Sequence, residues 1–337
     1  MESKLFMGCD IAQDTFSFCL RNQAQILLEG VIPNSKTTIR KWLHELKRIH
    51  GVELTSVIFC LEHTGIYGML LMRILHERSL TVCVEGASNI KLSLGLQRGK
   101  NDKVDARRIA EYAMRYTDRL KQWKPKRDVL EKLQLLSGMR SRLIKARHVL
   151  SSHTQEVKRF MNKEEYMLLN KGTQEALKAI EKSIINADQK IAIIIRSDEH
   201  LSHLSKLITS VDNIGMVTCA AILIRTNEFQ DFKESKKFSC TAGIAPFEHS
   251  SGKSVRGKTR VSHQAHKDLK TLLHMCAVSA ITREGELREY YLRKVTQGKN
   301  KMLVLNAVRN KLVGRIFAVV RDGVMYQKNY RYNLVVS

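Results

Sequence analysis

Four carboxylates carry the first chemical signal in this sequence: Asp10, Glu62, Asp102 and Asp105. Asp10 closes the apolar run that begins at Lys4, and Glu62 closes the run SVIFCLE. Asp102 and Asp105 stand three apart at the start of a predicted helix, which puts them on one helical face. Brought together, such groups repel unless cations lie between them, and hard oxygen donors suit Mg²⁺ or Mn²⁺. Two such ions roughly 4 Å apart activate a nucleophile and stabilise the leaving oxygen of a phosphodiester. Each residue also has a plainer reading. Asp102 fits a helix N-cap, Asp105 a favourable first-turn charge, and Asp10 a turn at a strand end. Glu62 resists that treatment, because a carboxylate directly after VIFCL belongs beside the core. Taken together, in so basic a chain, the metal reading is favoured.

The charge narrows the partner. Fifty-seven Lys and Arg against 33 Asp and Glu give a formal net charge of +24 over 337 residues. Such an excess favours a polyanion, and nucleic acid comes first because phosphate neutralisation dominates its binding energy. A membrane surface needs a concentrated basic amphipathic helix, whereas here the charge is spread along the chain. The start, MESKLFMGCD, has no signal-peptide hydrophobic region, and no apolar run approaches the roughly 18 residues of a membrane span. A soluble, cytoplasmic protein is expected. The seven cysteines are widely spaced with no CxxC pair, which predicts buried free thiols rather than zinc or disulfides.

The elements that must position the carboxylates follow from periodicity. Strands over Lys4–Asp10, Thr15–Leu20 and Ile26–Ile32 are joined tightly enough to form an antiparallel meander. A helix over Thr37–His50 shows Ile39, Trp42, Leu43 and Leu46 on one face, which makes Trp42 a core residue before a base-stacking platform. Strand Ser56–Leu61, helix Tyr67–Arg78, strand Leu80–Glu85 and a helix from Val104 complete the element order of an RNase H-like α/β domain, residues 1–124. Pro125 marks a boundary. Residues 125–200 predict two long helices packed as an antiparallel coiled-coil arm, a spacer or dimerisation element. Residues 201–337 form a mostly α unit. In it Ser210–Thr218 looks like the turn of a helix-hairpin-helix, His249–Arg260 reads as a polar, basic loop, and helices span His266–Ala280 and Met302–Val320.

Several ordered blocks resemble those of the DEDD insertion-sequence transposases, which are related to the Piv-type DNA invertases. They are Gly8-Cys9-Asp10-Ile11-Ala12 with Asp14, Leu61 to Tyr67 (LEHTGIY), Lys100 to Arg107 (KNDKVDAR), Ala242 to Pro246 (AGIAP), Glu248 to Gly252 (EHSSG) and Arg256-Gly257-Lys258. The resemblance spans Lys4 to about Asp322. It implies a RuvC-like N-terminal domain with the DEDD set at Asp10, Glu62, Asp102 and Asp105. It also implies a nucleophilic serine, most naturally Ser251, that holds cut DNA as a phosphoserine ester. A guide RNA carried by the element is implied as a partner beside donor and target DNA. No dedicated base for the serine is apparent, and His249 and the carboxylates are candidates.

The sequence departs from the family pattern in places. Ser250 directly precedes Ser251, so both hydroxyls stand as candidates. Asn101 replaces a usual Thr, Asn213 replaces the hairpin proline, and Val261-Ser262-His263-Gln264-Ala265 lacks the usual Lys and Gly. Arg256, Lys258, Arg260, Lys253, Lys100 and Lys103 are the expected phosphate contacts. A homodimer or homotetramer is expected, because recombination must hold two duplexes. Two alternatives use the same residues differently. A RuvC-type nuclease would hydrolyse branched DNA with the carboxylates alone, and a non-catalytic architectural protein would use them as helix caps.

Overall fold

The computed structural model describes residues 4–63, 65–93, 101–251, 255–261 and 265–328, without side chains at 153–157 and 247–261. The chain divides into two compact units, Met1–Pro125 and Lys126–Ser337.

In the first unit, β1 (Leu5–Ile11), β2 (Thr15–Arg21) and β3 (Ile26–Pro33) form the expected meander. The short connections leave no other choice. Ala12 N–H donates to Thr15 O at 2.9 Å, and the Asn22 side chain accepts from the amides of Ala24 and Gln25. Helix α1 (Lys36–Arg48) then gives the chain the length to cross over, so β4 (Val57–Glu62) pairs parallel to β1. Helix α2 (Met69–Glu77), strand β5 (Thr81–Glu85, parallel to β4), and helices α3 (Ala87–Ser93) and α4 (Asp102–Arg115) follow. The sheet order is β3-β2-β1-β4-β5, the arrangement of an RNase H-like domain. The short helix α3 is an element the sequence reading passed over.

Alternation along the strands gives the sheet two different faces. Met7, Cys9, Phe16, Phe18, Phe59 and Leu61 turn toward α1 and α2 and share one core with Ile39, Trp42, Leu43, Leu46, Leu71 and Leu75. Trp42 stands edge-on to Phe16 at 5.4 Å between ring centroids and tilted against Phe18 at 5.0 Å, so it is core, as its spacing predicted. The opposite face carries Phe6, Gly8, Cys19 and Cys60 and is covered by α4, through Ala106, Ile109, Ala110, Tyr112 and Ala113. Six of the cysteines are buried and Cys240 is partly so, all as free thiols. Burial pushes the Cys19 thiol up to about 12, which leaves it protonated and inert.

The second unit opens with two long helices, α5 (Asp128–Val157) and α6 (Lys163–Ser197). Ion pairs Arg140–Asp188 and Arg147–Glu181 step in opposite directions along the two helices, so they run antiparallel. Asn162 and Glu165 form a reciprocal capping box that starts α6 sharply. Leu130, Leu133, Ile191 and Ile195 join the core built by the later helices α7 (Glu199–Ser210), α8 (Met216–Thr226), α9 (Ser235–Thr241), α10 (Lys267–Thr282), α11 (Glu286–Thr296) and α12 (Lys301–Asp322). Helix α11 was not read from the sequence. Arg127 fastens this junction by donating to Asp198 at 2.9 and 3.0 Å and to the buried Glu228 at 2.8 Å. The basic stretch expected as a loop is instead a two-stranded antiparallel ribbon, β6 (Pro246–Ser251) with β7 (Val255–Val261). Its Ser, Gly and Lys content reads as loop because apolar alternation is missing. Backbone pairing between the two strands supplies the order instead.

Gly8 sets the height of α4 above the sheet. A Cβ placed there would lie 2.3 Å from both Ala106 O and Ala110 N, atoms of the helix backbone that cannot swing aside. We expect Gly8→Ala to destabilise the first unit by at least about 2 kcal/mol, the range for overpacking against a rigid neighbour, as read by urea unfolding. Unchanged stability would mean that α4 is free to ride higher.

Candidate active site

Asp10 and Glu62 sit at the carboxyl ends of adjacent parallel strands. Cys9 pairs with Leu61, so Asp10 and Glu62 occupy the next step of the same ladder, on strands about 4.8 Å apart. Two residues before them, Gly8 and Cys60 face α4, and the period of two turns Asp10 and Glu62 to that same face. Helix α4 runs opposite to β1. Phe6 packs with Ile109, Tyr112 and Ala113, while Gly8 lies under Ala106 and Ala110. Continuing that series brings the first turn of α4, with Asp102 and Asp105, toward Asp10. Both Asp10 and Glu62 are half-buried, Asp105 is similar, and Asp102 is exposed.

The plainer reading of Asp102 as an N-cap does not hold. Asn101 is the cap, its side chain accepting from Val104 N–H at 2.8 Å. Asp102 therefore starts the helix proper, and its carboxylate is not consumed by capping. Asp105 accepts from Arg108 Nη1 at 2.8 Å one turn along. The helix is also pinned at its side, where Arg107 donates to Glu29 of β3 at 2.6 Å and holds the Glu29 carboxyl below its usual range.

These are hard oxygen donors on one face of the sheet, as a divalent metal requires. Among the described residues, no three His, Cys, Asp or Glu side chains approach closely enough to hold an ion. The donor set fits a divalent metal in kind, while no three of its described side chains converge as an ion would require.

Glu85 is a further carboxylate beside this site, outside the four that the sequence singles out. It pairs in register with Glu62 on β5, which makes a third carboxylate along the same row of strand ends. The signal was present, since TVCVE repeats the pattern of an apolar run closed by Glu that singled out Glu62.

The remaining expected site residues lie in the second unit, on the first turn of α4, or outside the described residues. Ser251 ends β6 and pairs with Val255, Ser250 pairs with Arg256, and Phe247 pairs with Arg260. Arg256, Lys258 and Arg260 are therefore all on β7, one strand away from both candidate serines. Lys100 and Lys253 fall outside the described residues, and Lys103 is exposed on the first turn of α4. The stretch compared to a helix-hairpin-helix is the turn between α7 and α8. There Asn213 takes a left-handed conformation, φ 68°, and its side chain accepts from Ser279 at 3.0 Å. No helix among the described residues is long and apolar enough to cross a membrane.

An RNase H-like sheet with carboxylates at its strand ends, in a strongly basic chain, fits the class of DNA-processing proteins. Comparison with known proteins specifies it further. A DEDD transposase model of the IS110 type, described as "Transposase", matches residues 7–162, and the IS116/IS110/IS902 transposase family matches residues 205–292. The chain belongs to the IS110/IS116 family of insertion-sequence transposases. It is similar to the pilin gene-inverting protein of Moraxella bovis, 25% identical over 332 residues that cover 97% of this chain and 98% of that one. It is also similar to the IS110 uncharacterized 43.6 kDa protein of Streptomyces coelicolor, 27% identical over 37% of this chain and 30% of that one. Among solved structures it matches T. thermophilus RuvC in complex with a Holliday junction substrate, 12% identical with a TM-score of 0.28, covering 36% of this chain and 99% of that one.

Two measurements bear on this site. Mn²⁺ at a hundredfold excess over its Kd should stabilise the wild type by about 2.7 kcal/mol in thermal unfolding, and Asp10→Asn or Glu62→Gln should abolish that shift. An equal shift in the variants would place the metal elsewhere. The Glu29–Arg107 pair has a depressed folded pKa. Its stabilisation is therefore present above the unfolded value of about 4.5 and is lost as pH falls through the folded one. Glu29→Gln should flatten the acid limb of the stability profile below about pH 4.5 and leave the neutral region's slope unchanged.

Proposed function

We propose that this chain is a recombinase that cuts and rejoins DNA at the ends of an insertion sequence, with Asp10, Glu62, Asp102 and Asp105 as its metal-binding set and Ser251 as its nucleophile. The observation that carries the reading is the placement of Asp10 and Glu62 side by side at the strand ends, on the sheet face that α4 covers. Mg²⁺ or Mn²⁺ held by the four carboxylates would neutralise charge developing on the phosphate. The serine Oγ attacks phosphorus, forming a Ser–O–P ester as one P–O bond to the DNA strand breaks. The departing strand hydroxyl takes up the proton that the serine gives up. The ester conserves the energy of the broken bond, so rejoining needs no outside energy source.

The β6–β7 ribbon supports the serine assignment by placing Ser251 one strand from Arg256, Lys258 and Arg260, residue types suited to gripping flanking phosphates. Similarity over nearly full length to a pilin gene-inverting protein supports DNA rearrangement as the outcome. The RNA expected from the family resemblance would supply target choice, and the α5–α6 pair would serve as an arm joining copies in a dimer or tetramer. Hydrolysis by a RuvC-type mechanism is the second reading, since it draws on the same carboxylates and needs no serine.

A covalent protein–DNA adduct separates the two. Purified chain, Mg²⁺, the element's flanking RNA and its junction DNA would be incubated and resolved on a denaturing gel. The expected result is an adduct that disappears with Ser251→Ala and with Asp10→Ala but survives Ser250→Ala. Cleavage without any adduct, indifferent to both serine changes, would leave the hydrolytic nuclease.

A further inference from the structure

Beside the carboxylate row, the first unit has an open cleft of about 730 Å³ that the proposed mechanism does not use. Its floor is the end of β5 at Glu85 and Gly86, and its walls come from α3 and from α4 with the segment after it. Tyr112 and Tyr116 lie one helical turn apart, with ring centroids 5.2 Å apart. The Arg119 guanidinium stands 5.3 Å over the Tyr116 ring, and Lys121 completes a cationic rim. At the floor, Asn89 Nδ2 donates to Glu85 Oε2 at 3.2 Å, and a hydrogen bond joins Tyr112 to the same carboxylate. The apolar lip is Leu92, 77% exposed.

These groups match one kind of ligand. Aromatic rings and an apolar lip offer stacking surface, exposed cations at the rim suit a phosphate, and an amide beside a carboxylate suits the hydrogen-bonding edge of a base. An acidic floor disfavours phosphate itself, so the charged end belongs at the rim and the base inside. The place in the fold is equally specific. Glu85 is one strand from Glu62 and two from Asp10 in the same register, so a strand presenting its phosphate to Asp10 and Glu62 carries a neighbouring nucleotide past the cleft mouth.

We infer that this cleft receives one unpaired nucleotide of the DNA strand next to the phosphate being cut, its base stacked at Tyr116 and its edge read by Glu85 and Asn89. The direction of reading favours a base with an exocyclic amino group, which donates to Glu85 as cytosine N4 donates to carboxylates elsewhere. Extruding that nucleotide costs unstacking, which is least where the strand is already unpaired. The cleft thereby selects distorted or branched DNA over plain duplex. The inference rests on the proposed use of Asp10 and Glu62 on DNA.

The test uses the full chain without added metal and a duplex carrying one bulged 5-iodo-2′-deoxycytidine. After irradiation, the crosslinked tryptic peptide should fall within Ile109–Arg115 or Tyr116–Arg119. Asn89→Ala and Tyr116→Ala should weaken binding of the bulged duplex about tenfold, the scale of one stacked base, and leave the same duplex with an abasic bulge little affected. Crosslinks confined to other peptides would overturn the inference. So would variants that weaken bulged, abasic and fully paired duplexes alike, since that is ordinary phosphate contact. Asp10→Ala should keep the crosslink. A crosslink at these peptides in a wild type that never cuts DNA would retain the cleft and sink the catalytic reading, and cutting without the crosslink would do the reverse.

Discussion

Helix α4 lies against the sheet at backbone distance because Gly8 has no side chain, and the proposed metal-binding set depends on that contact. The helix carries two of the four proposed carboxylates, Asp102 and Asp105, and the strands beneath carry the other two, Asp10 and Glu62. Sheet register fixes Asp10 beside Glu62, but nothing in the register fixes Asp102 and Asp105 relative to them. That relation is set by the height and direction of α4. Gly8 sets the height, and the small Ala106 and Ala110 above it keep the contact narrow. The Arg107–Glu29 pair adds a lateral tie to the outer strand β3.

Electrostatics and packing pull in different directions in this chain. A net charge of +24 draws in polyanions, while the strand ends of the first unit gather Asp10, Glu62 and Glu85 in one row. An acidic row at the edge of a rigid sheet costs stability in the absence of cations, and its position at strand ends limits that cost by leaving the groups partly solvated. The opposite sheet face, packed with Trp42, Phe16, Phe18 and Phe59, supplies the compensating apolar burial. In the second unit the corresponding fixed point is Arg127, which joins the start of α5 to the start of α7 through Asp198 and to the buried Glu228.

Local patterns were legible where one residue type had one physical use. The helix stripe Ile39, Trp42, Leu43, Leu46 could only be a buried face, and the tight links between the first three strands could only give a meander. The β6–β7 ribbon was not legible, because its order comes from cross-strand backbone bonds that leave no apolar alternation. Asn101 illustrates a finer failure. Asp102 reads as the N-cap in the sequence, yet Asn and Asp are near equals as caps, so residue type alone does not separate it from Asn101. The backbone geometry assigns the cap to Asn101 and leaves Asp102 as a first-turn carboxylate.

The sequence by itself determined the chemistry on offer: hard carboxylate donors beside apolar runs and at a helix start, a basic surface for phosphates, and widely spaced thiols with no CxxC pair. In the first unit, period and connection length also determined the order of the strands and of α1, α2 and α4, since each depends only on neighbours along the chain. Only the tertiary structure decided which carboxylates share a face. That question turns on parallel pairing between strands some fifty residues apart and on a helix seated over a glycine. Glu85 became visible in the same way, as the third member of a row that exists only once β1, β4 and β5 are side by side.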